Sequence, residues 1–145
     1  MCIRDRKEVT VVNAKTEELI ATLNCGLQNA YALFQVSKML NDKEKESFSL
    51  KMALETIKQK NVGNGNAGIL TGTIGIALLY NHFYQQTLID AFKTAALYWI
   101  CESYQQKIVQ YEIDVSLLDG LTGVGLVLIS AMADFKPDWD SCLLL

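Results

Sequence analysis

The chain has 145 residues, half of them apolar and a fifth charged, with 13 basic against 16 acidic side chains and a formal charge of −3. That hydrophobicity excludes intrinsic disorder. Nine glycines and a single proline exclude collagen-like and low-complexity classes, and the absence of a basic stripe argues against a nucleic-acid binder.

The length is that of one ordinary domain. One proline leaves long helices unbroken. Cys2, Cys25, Cys101 and Cys142 stand far apart and form no C-x-x-C pair, so reduced and mostly buried thiols are expected rather than a disulfide scaffold. A zinc finger is excluded, because one His and scattered Cys cannot supply a local tetrahedral set. No signal-peptide pattern opens the chain. The charge-free stretch from Gly120 to Ala133 is too short to span a bilayer. The expected compartment is the cytoplasm.

In chain order, Met1 to Arg6 shows no period, and residues 1–19 are expected to be an irregular, truncated start. Within them Glu8 to Val12 is a candidate strand. A first helix follows Gly26 and closes at Lys38-Met39-Leu40-Asn41-Asp42. Asp42 to Lys60 is expected to be an amphipathic helix with Leu50, Ala53, Leu54 and Ile57 on its inner face. Gly63-Asn64-Gly65-Asn66 lacks the Lys of a phosphate-binding loop and reads as a flexible turn. An apolar helix starts at Gly72, and a second amphipathic helix is expected from Leu88 to Lys107, with Leu88, Phe92, Ala95 and Trp99 inward. Val109 to Ser116 alternates strictly and predicts a short strand. A last apolar helix starts at Gly120. It is apolar nearly all round, which predicts burial on more than one side.

Self-comparison organises these elements. Cys25-Gly26-Leu27-Gln28-Asn29-Ala30, Thr71-Gly72-Thr73-Ile74-Gly75-Ile76 and Asp119-Gly120-Leu121-Thr122-Gly123-Val124 share one plan. Each is expected to open a helix at its first glycine, and the period is about 47 residues. Gly75 and Gly123 follow the leading glycine by three residues, where the first copy has Asn29. Thr71 and Asp119 are expected helix caps, as is Asn24. Apolar helices alternating with amphipathic ones describe an inner and an outer layer.

These residues carry a resemblance. Leu117 to Leu128 resembles the last inner helix of the lanthionine synthetase C-like family. Pro137 to Leu145 is similar to that family's terminal W-D-x-x-L-L-L signature, and Gly72 to Ala77 to its G-x-x-G-I-A helix start. The resemblance covers residues 20–145. It implies an all-α fold, a partial α/α toroid of three repeats, forming the C-terminal part of a longer family member. It implies an activity as well: a peptide Cys thiol adds to a dehydrated Ser or Thr and closes a thioether ring. A zinc ion held by two Cys and one His lowers the thiol pKa in the family. A precursor peptide and a dehydratase are the implied partners.

The family's ligand positions fall here on Asn24, Leu70 and Thr71. Cys25 lies one residue away and is the only thiol that a shifted turn could recruit. A catalytic zinc needs about three protein ligands, so no family-type zinc site is expected in this chain, and no catalytic residue is assigned. As a thiol at a helix start, Cys25 would be the most reactive cysteine. His82, the lone His, is expected to be structural or solvent-facing. Asp119 is an alternative cavity acid, and Trp139 is expected to pack the tail onto the helices. Three functions stay open: a peptide cyclase, a zinc-free scaffold that binds the precursor peptide or a modification enzyme, and an unrelated α/α-barrel enzyme acting on carbohydrate or isoprenoid. The last would show acidic pairs or aromatic clusters at the inner helix starts, and these are sparse.

Overall fold

A computed structural model describes residues 3–59, 67–70, 72–109, 115–133 and 139. Five helices make up its regular structure: α1 (Ile3–Met39), α2 (Lys43–Thr56), α3 (Thr73–Thr87), α4 (Asp90–Val109) and α5 (Leu121–Met132). The described residues form an all-α fold. Among them, no helix is long and apolar enough to cross a membrane.

The first helix runs for 37 residues because nothing in it breaks the backbone ladder. Ile20, Leu23, Leu27, Ala30, Tyr31, Phe34 and Ser37 are buried, a three-and-four spacing that puts them on one stripe. At its end Asn41 takes a left-handed conformation with φ 54°. The Asp42 N–H bonds the Ser37 carbonyl at 2.8 Å and the Asn41 N–H bonds that of Lys38 at 3.2 Å, the pairing that closes a Schellman turn. Asp42 then caps α2, its carboxylate accepting from the Lys45 N–H at 3.1 Å.

Two expectations for this region are corrected. Glu8 to Val12 is helical, not a strand, since α1 takes up the β-branched run. Helix also occupies the stretch from Ile3 that was read as irregular.

Every residue of α3 from Thr73 to Phe83 is buried, because α1, α4 and α5 all pack against this helix. Cross-links give the directions. Asn24 bonds the start of α3, while Tyr31 and Lys38 bond Gln86 near its end, so α1 and α3 run parallel. Ile69 pairs with Leu118 and Asn81 with Ser130, so α3 and α5 also run parallel. Thr73 meets Ser103 and Phe83 meets Phe92, so α4 runs antiparallel to α3. Phe92, Ala95 and Trp99 are buried on α4 as expected. Leu88 is not. It is 73% exposed and caps α3 in a left-handed conformation with φ 56°.

The last helix is buried at Gly123, Val124, Val127 and Ser130. Leu121, Ile129 and Met132 are exposed, so one side of α5 is open where burial on more than one side was expected. The strand expected over Val109 to Ser116 is not seen in the described part: Val109 ends α4, residues 110–114 lie outside the described residues, and Val115 and Ser116 carry no regular structure. The turn expected at Gly63 to Asn66 lies outside the described residues too. Trp139 is half-buried and donates to Ser130 Oγ at 2.8 Å, so it packs against α5.

Tyr80 on α3 shares a 2.8 Å hydrogen bond with Thr56 on α2. Burial pushes its phenol up to about 12, against a smaller downward pull from Thr56. An unfolded tyrosine titrates near pH ~10. The folded chain holds this proton more tightly, so the contribution to stability is intact below pH ~10 and is lost as pH rises towards 12. Tyr80→Phe is expected to flatten the alkaline limb of the stability profile, read by urea unfolding between pH 8 and 11 (values set by ~10 as the unfolded midpoint). Tyr98, also pushed up by burial and by Glu102, keeps part of that limb.

Candidate functional site

The starts of α3 and α5 are built alike. Gly72 caps α3 with φ −109° and ψ −174°, and Gly120 caps α5 with φ −109° and ψ −173°. Neither cap has a side-chain hydrogen bond. At the third helical residue of each, a side chain would collide with the turn that precedes the helix. A Cβ on Gly75 would overlap the Ile69 carbonyl oxygen, and one on Gly123 would overlap that of Leu117. The second glycine of the motif therefore exists because a backbone carbonyl passes over the helix at that point. The Gly68 carbonyl accepts from the Gly72 and Gly75 N–H groups at 3.1 and 3.3 Å. The Ile69 N–H donates to Leu118 O at 2.6 Å, which joins the two turns.

The third contributor is Asn24, in the middle of α1 and 1% exposed. Its Nδ2 donates to Leu70 O at 2.9 Å and to Gly72 O at 3.4 Å. Its Oδ1 accepts from Gln28 Nε2 at 3.2 Å, and the same Nε2 lies 3.4 Å from Leu70 O. Facing two carbonyl oxygens, the amide can turn only its nitrogen towards them. Asn24 and Gln28 are four residues apart and so share one face of α1. The structure thus brings together two of the three positions singled out from the sequence, Asn24 and Leu70. Thr71 lies outside the described residues.

Several expectations change here. Gly26 does not open a helix; it is inside α1, and nothing stands within 4 Å of where its Cβ would be. Asn24 is accordingly no helix cap. Cys25 also lies mid-helix and is exposed, as is Cys101, so the two described cysteines are not buried. Asp119 does not cap α5, because Gly120 holds that position. Asp119 is exposed, and its N–H donates to Ser116 Oγ at 3.4 Å. His82 is buried and takes the structural reading, its ring 5.3 Å from that of Tyr31. Gln28 and Ile69 were missed. The signal for Gln28 was its i,i+4 spacing from Asn24, while Ile69 contributes only backbone, which no side-chain motif announces.

At the two described positions, Asn24 and Leu70, the donors do not fit a zinc ion. The Asn24 nitrogen carries hydrogens directed at carbonyls and offers no lone pair. Leu70 has no ligating side chain, and its carbonyl accepts from two amides. Among the described residues no group of three or more His, Cys, Asp or Glu could hold a metal.

The family described as lanthionine synthetase C-like protein matches residues 29–144. The match takes in the starts of both α3 and α5, and Asn24 lies just upstream of it. No curated protein and no solved structure shows significant similarity to the chain. On the family match, which spans most of its length, the chain belongs to the lanthionine synthetase C-like family.

Proposed function

We propose that this chain serves the thioether-ring-forming modification of a ribosomally made peptide, and that it does so as a zinc-free, peptide-binding member of its family. In this reading α1, α3 and α5 are inner helices of part of an α/α toroid, three repeats long, and α2 and α4 are outer ones. The partners are a precursor peptide and the dehydratase that prepares it, and the setting is the cytoplasm. The observation that carries the reading is the Asn24 amide directed at the Leu70 carbonyl, where the family resemblance would have two zinc ligands. A thiol bound nearby would find neutral amides and carbonyls. None of these stabilises a thiolate as a metal does, so binding without activation follows.

The test combines elemental analysis with a binding assay on a synthetic peptide bearing one Cys and one dehydroalanine. The expected outcome is well under one zinc per chain, peptide binding with a Kd of roughly micromolar order, and no ring closure above the uncatalysed rate. One zinc per chain, lost together with ring closure in Cys25→Ala, would overturn the scaffold reading in favour of a rebuilt cyclase. Absence of both zinc and peptide binding would remove the peptide from the proposal altogether.

A further inference from the structure

We infer that Asn24 is a positioning residue, a carboxamide latch that locks α1 to the start of α3 and fixes this end of the helix layer with no metal involved. The latch is independent of the functional reading above and would stand if no peptide bound.

Three observations converge on it. Asparagine is a poor residue for a helix interior, yet Asn24 sits in the middle of a 37-residue helix and is 1% exposed. Its side-chain N–H groups reach carbonyls 46 and 48 residues away in sequence, so its donors serve another element instead of its own helix. Space is also made for it: a Cβ on Gly75 would come 3.0 Å from Asn24 Nδ2, so the glycine that admits the Ile69 carbonyl admits this amide as well. Gln28 completes the network by donating to Asn24 Oδ1 and fixing the orientation of the amide. Among the described residues, no charged side chain hydrogen-bonds Asn24, Gln28 or the Leu70 carbonyl. What matters is therefore the direction of donation, from Nδ2 to the carbonyls.

Asn24→Ala and Asn24→Asp separate this role from simple packing. The alanine variant leaves Leu70 and Gly72 short of a donor and is expected to lower Tm by roughly 5 to 10 °C. Hydrogen exchange should quicken about tenfold in residues 68–78 and 20–30 and stay unchanged in residues 43–56. The aspartate variant has nearly the same shape but turns an oxygen towards two carbonyl oxygens. At pH 7 it is expected to be less stable than the alanine variant. A carboxyl buried there has its pKa raised, so its penalty appears as pH rises through the folded value and disappears below about pH 4, where the protonated carboxyl can donate. The gap between the two variants should therefore close or reverse on acidification. EDTA should leave the wild-type Tm unchanged. An aspartate variant as stable as wild type at pH 7, an alanine variant within 1 °C of wild type, or a wild-type Tm lowered by EDTA would each overturn the latch.

Discussion

Replacing Gly75 by alanine is expected to destabilise the fold by about 3 kcal/mol or more, while the same replacement at Gly26 is expected to stabilise it by about 0.5–1 kcal/mol. Both residues lead or follow the same sequence motif, so the opposite signs discriminate sharply between a shared role and an accidental one. At Gly75 the added methyl would overlap the Ile69 carbonyl oxygen and lie 2.8 Å from the Ile69 carbonyl carbon. The obstacle is backbone, not the far end of a flexible side chain. Ile69 is moreover held from the other side by its bond to Leu118, so it cannot retreat without breaking the link between the two turns. Gly123 meets the Leu117 carbonyl in the same way, and its alanine variant should behave like that of Gly75. Gly26 has open space around it and sits in a helix interior, where alanine restricts the unfolded chain and fits the folded one. Urea unfolding reads both effects as shifts in midpoint at an unchanged slope.

The same comparison explains which parts of the architecture could be read from the sequence. Gly75 and Gly123 were legible because the close approach of a carbonyl admits no side chain, and a steric requirement that strict leaves a mark in the letters. Gly26 carries the letter without the requirement. Its copy lacks the second glycine, and Asn29 in that place was the warning. Asn24 was picked out at the right position with the wrong role, since a side chain that caps its own helix and one that bonds a distant turn look identical in sequence. The Glu8 to Val12 stretch misled because β-branched residues favour strands only when a partner strand accepts them. Within an unbroken 37-residue run the cost of holding them in helix is a few tenths of a kcal/mol each. Leu88 failed for a different reason: the inward face of α4 starts at Phe92, and the preceding residues are spent on closing α3. Asp119 was an attractive cap, but the helix begins one residue later, where Gly120 takes the extended conformation itself.

Truncating Phe83 to alanine is expected to cost about 3–5 kcal/mol. Phe83 is fully buried. Its ring centre lies 5.3 Å from Tyr31 in an edge-on contact, 5.4 Å from Phe34, and 5.0 Å from Phe92 in a stacked one. Those partners belong to α1 and α4, so one ring on α3 ties three helices together. Its removal leaves a cavity that a packed interior cannot close without moving whole helices. Phe83→Leu keeps most of the volume and should lose only ~1–1.5 kcal/mol. Phe48→Ala, at a ring 58% exposed, should stay within ~0.5 kcal/mol of wild type and serves as the control for composition. Phe83 and Gly75 lie about 12 Å apart along α3 at 1.5 Å per residue, with no shared partner in contact, so effects at the aromatic hub and at the turn network should add. If the Phe83→Leu and Asn24→Ala losses instead coupled by more than ~0.5 kcal/mol, α3 would be transmitting strain from the hub to the site. The Asn24 latch would then have to be read as one end of a single cooperative unit rather than as a local clasp.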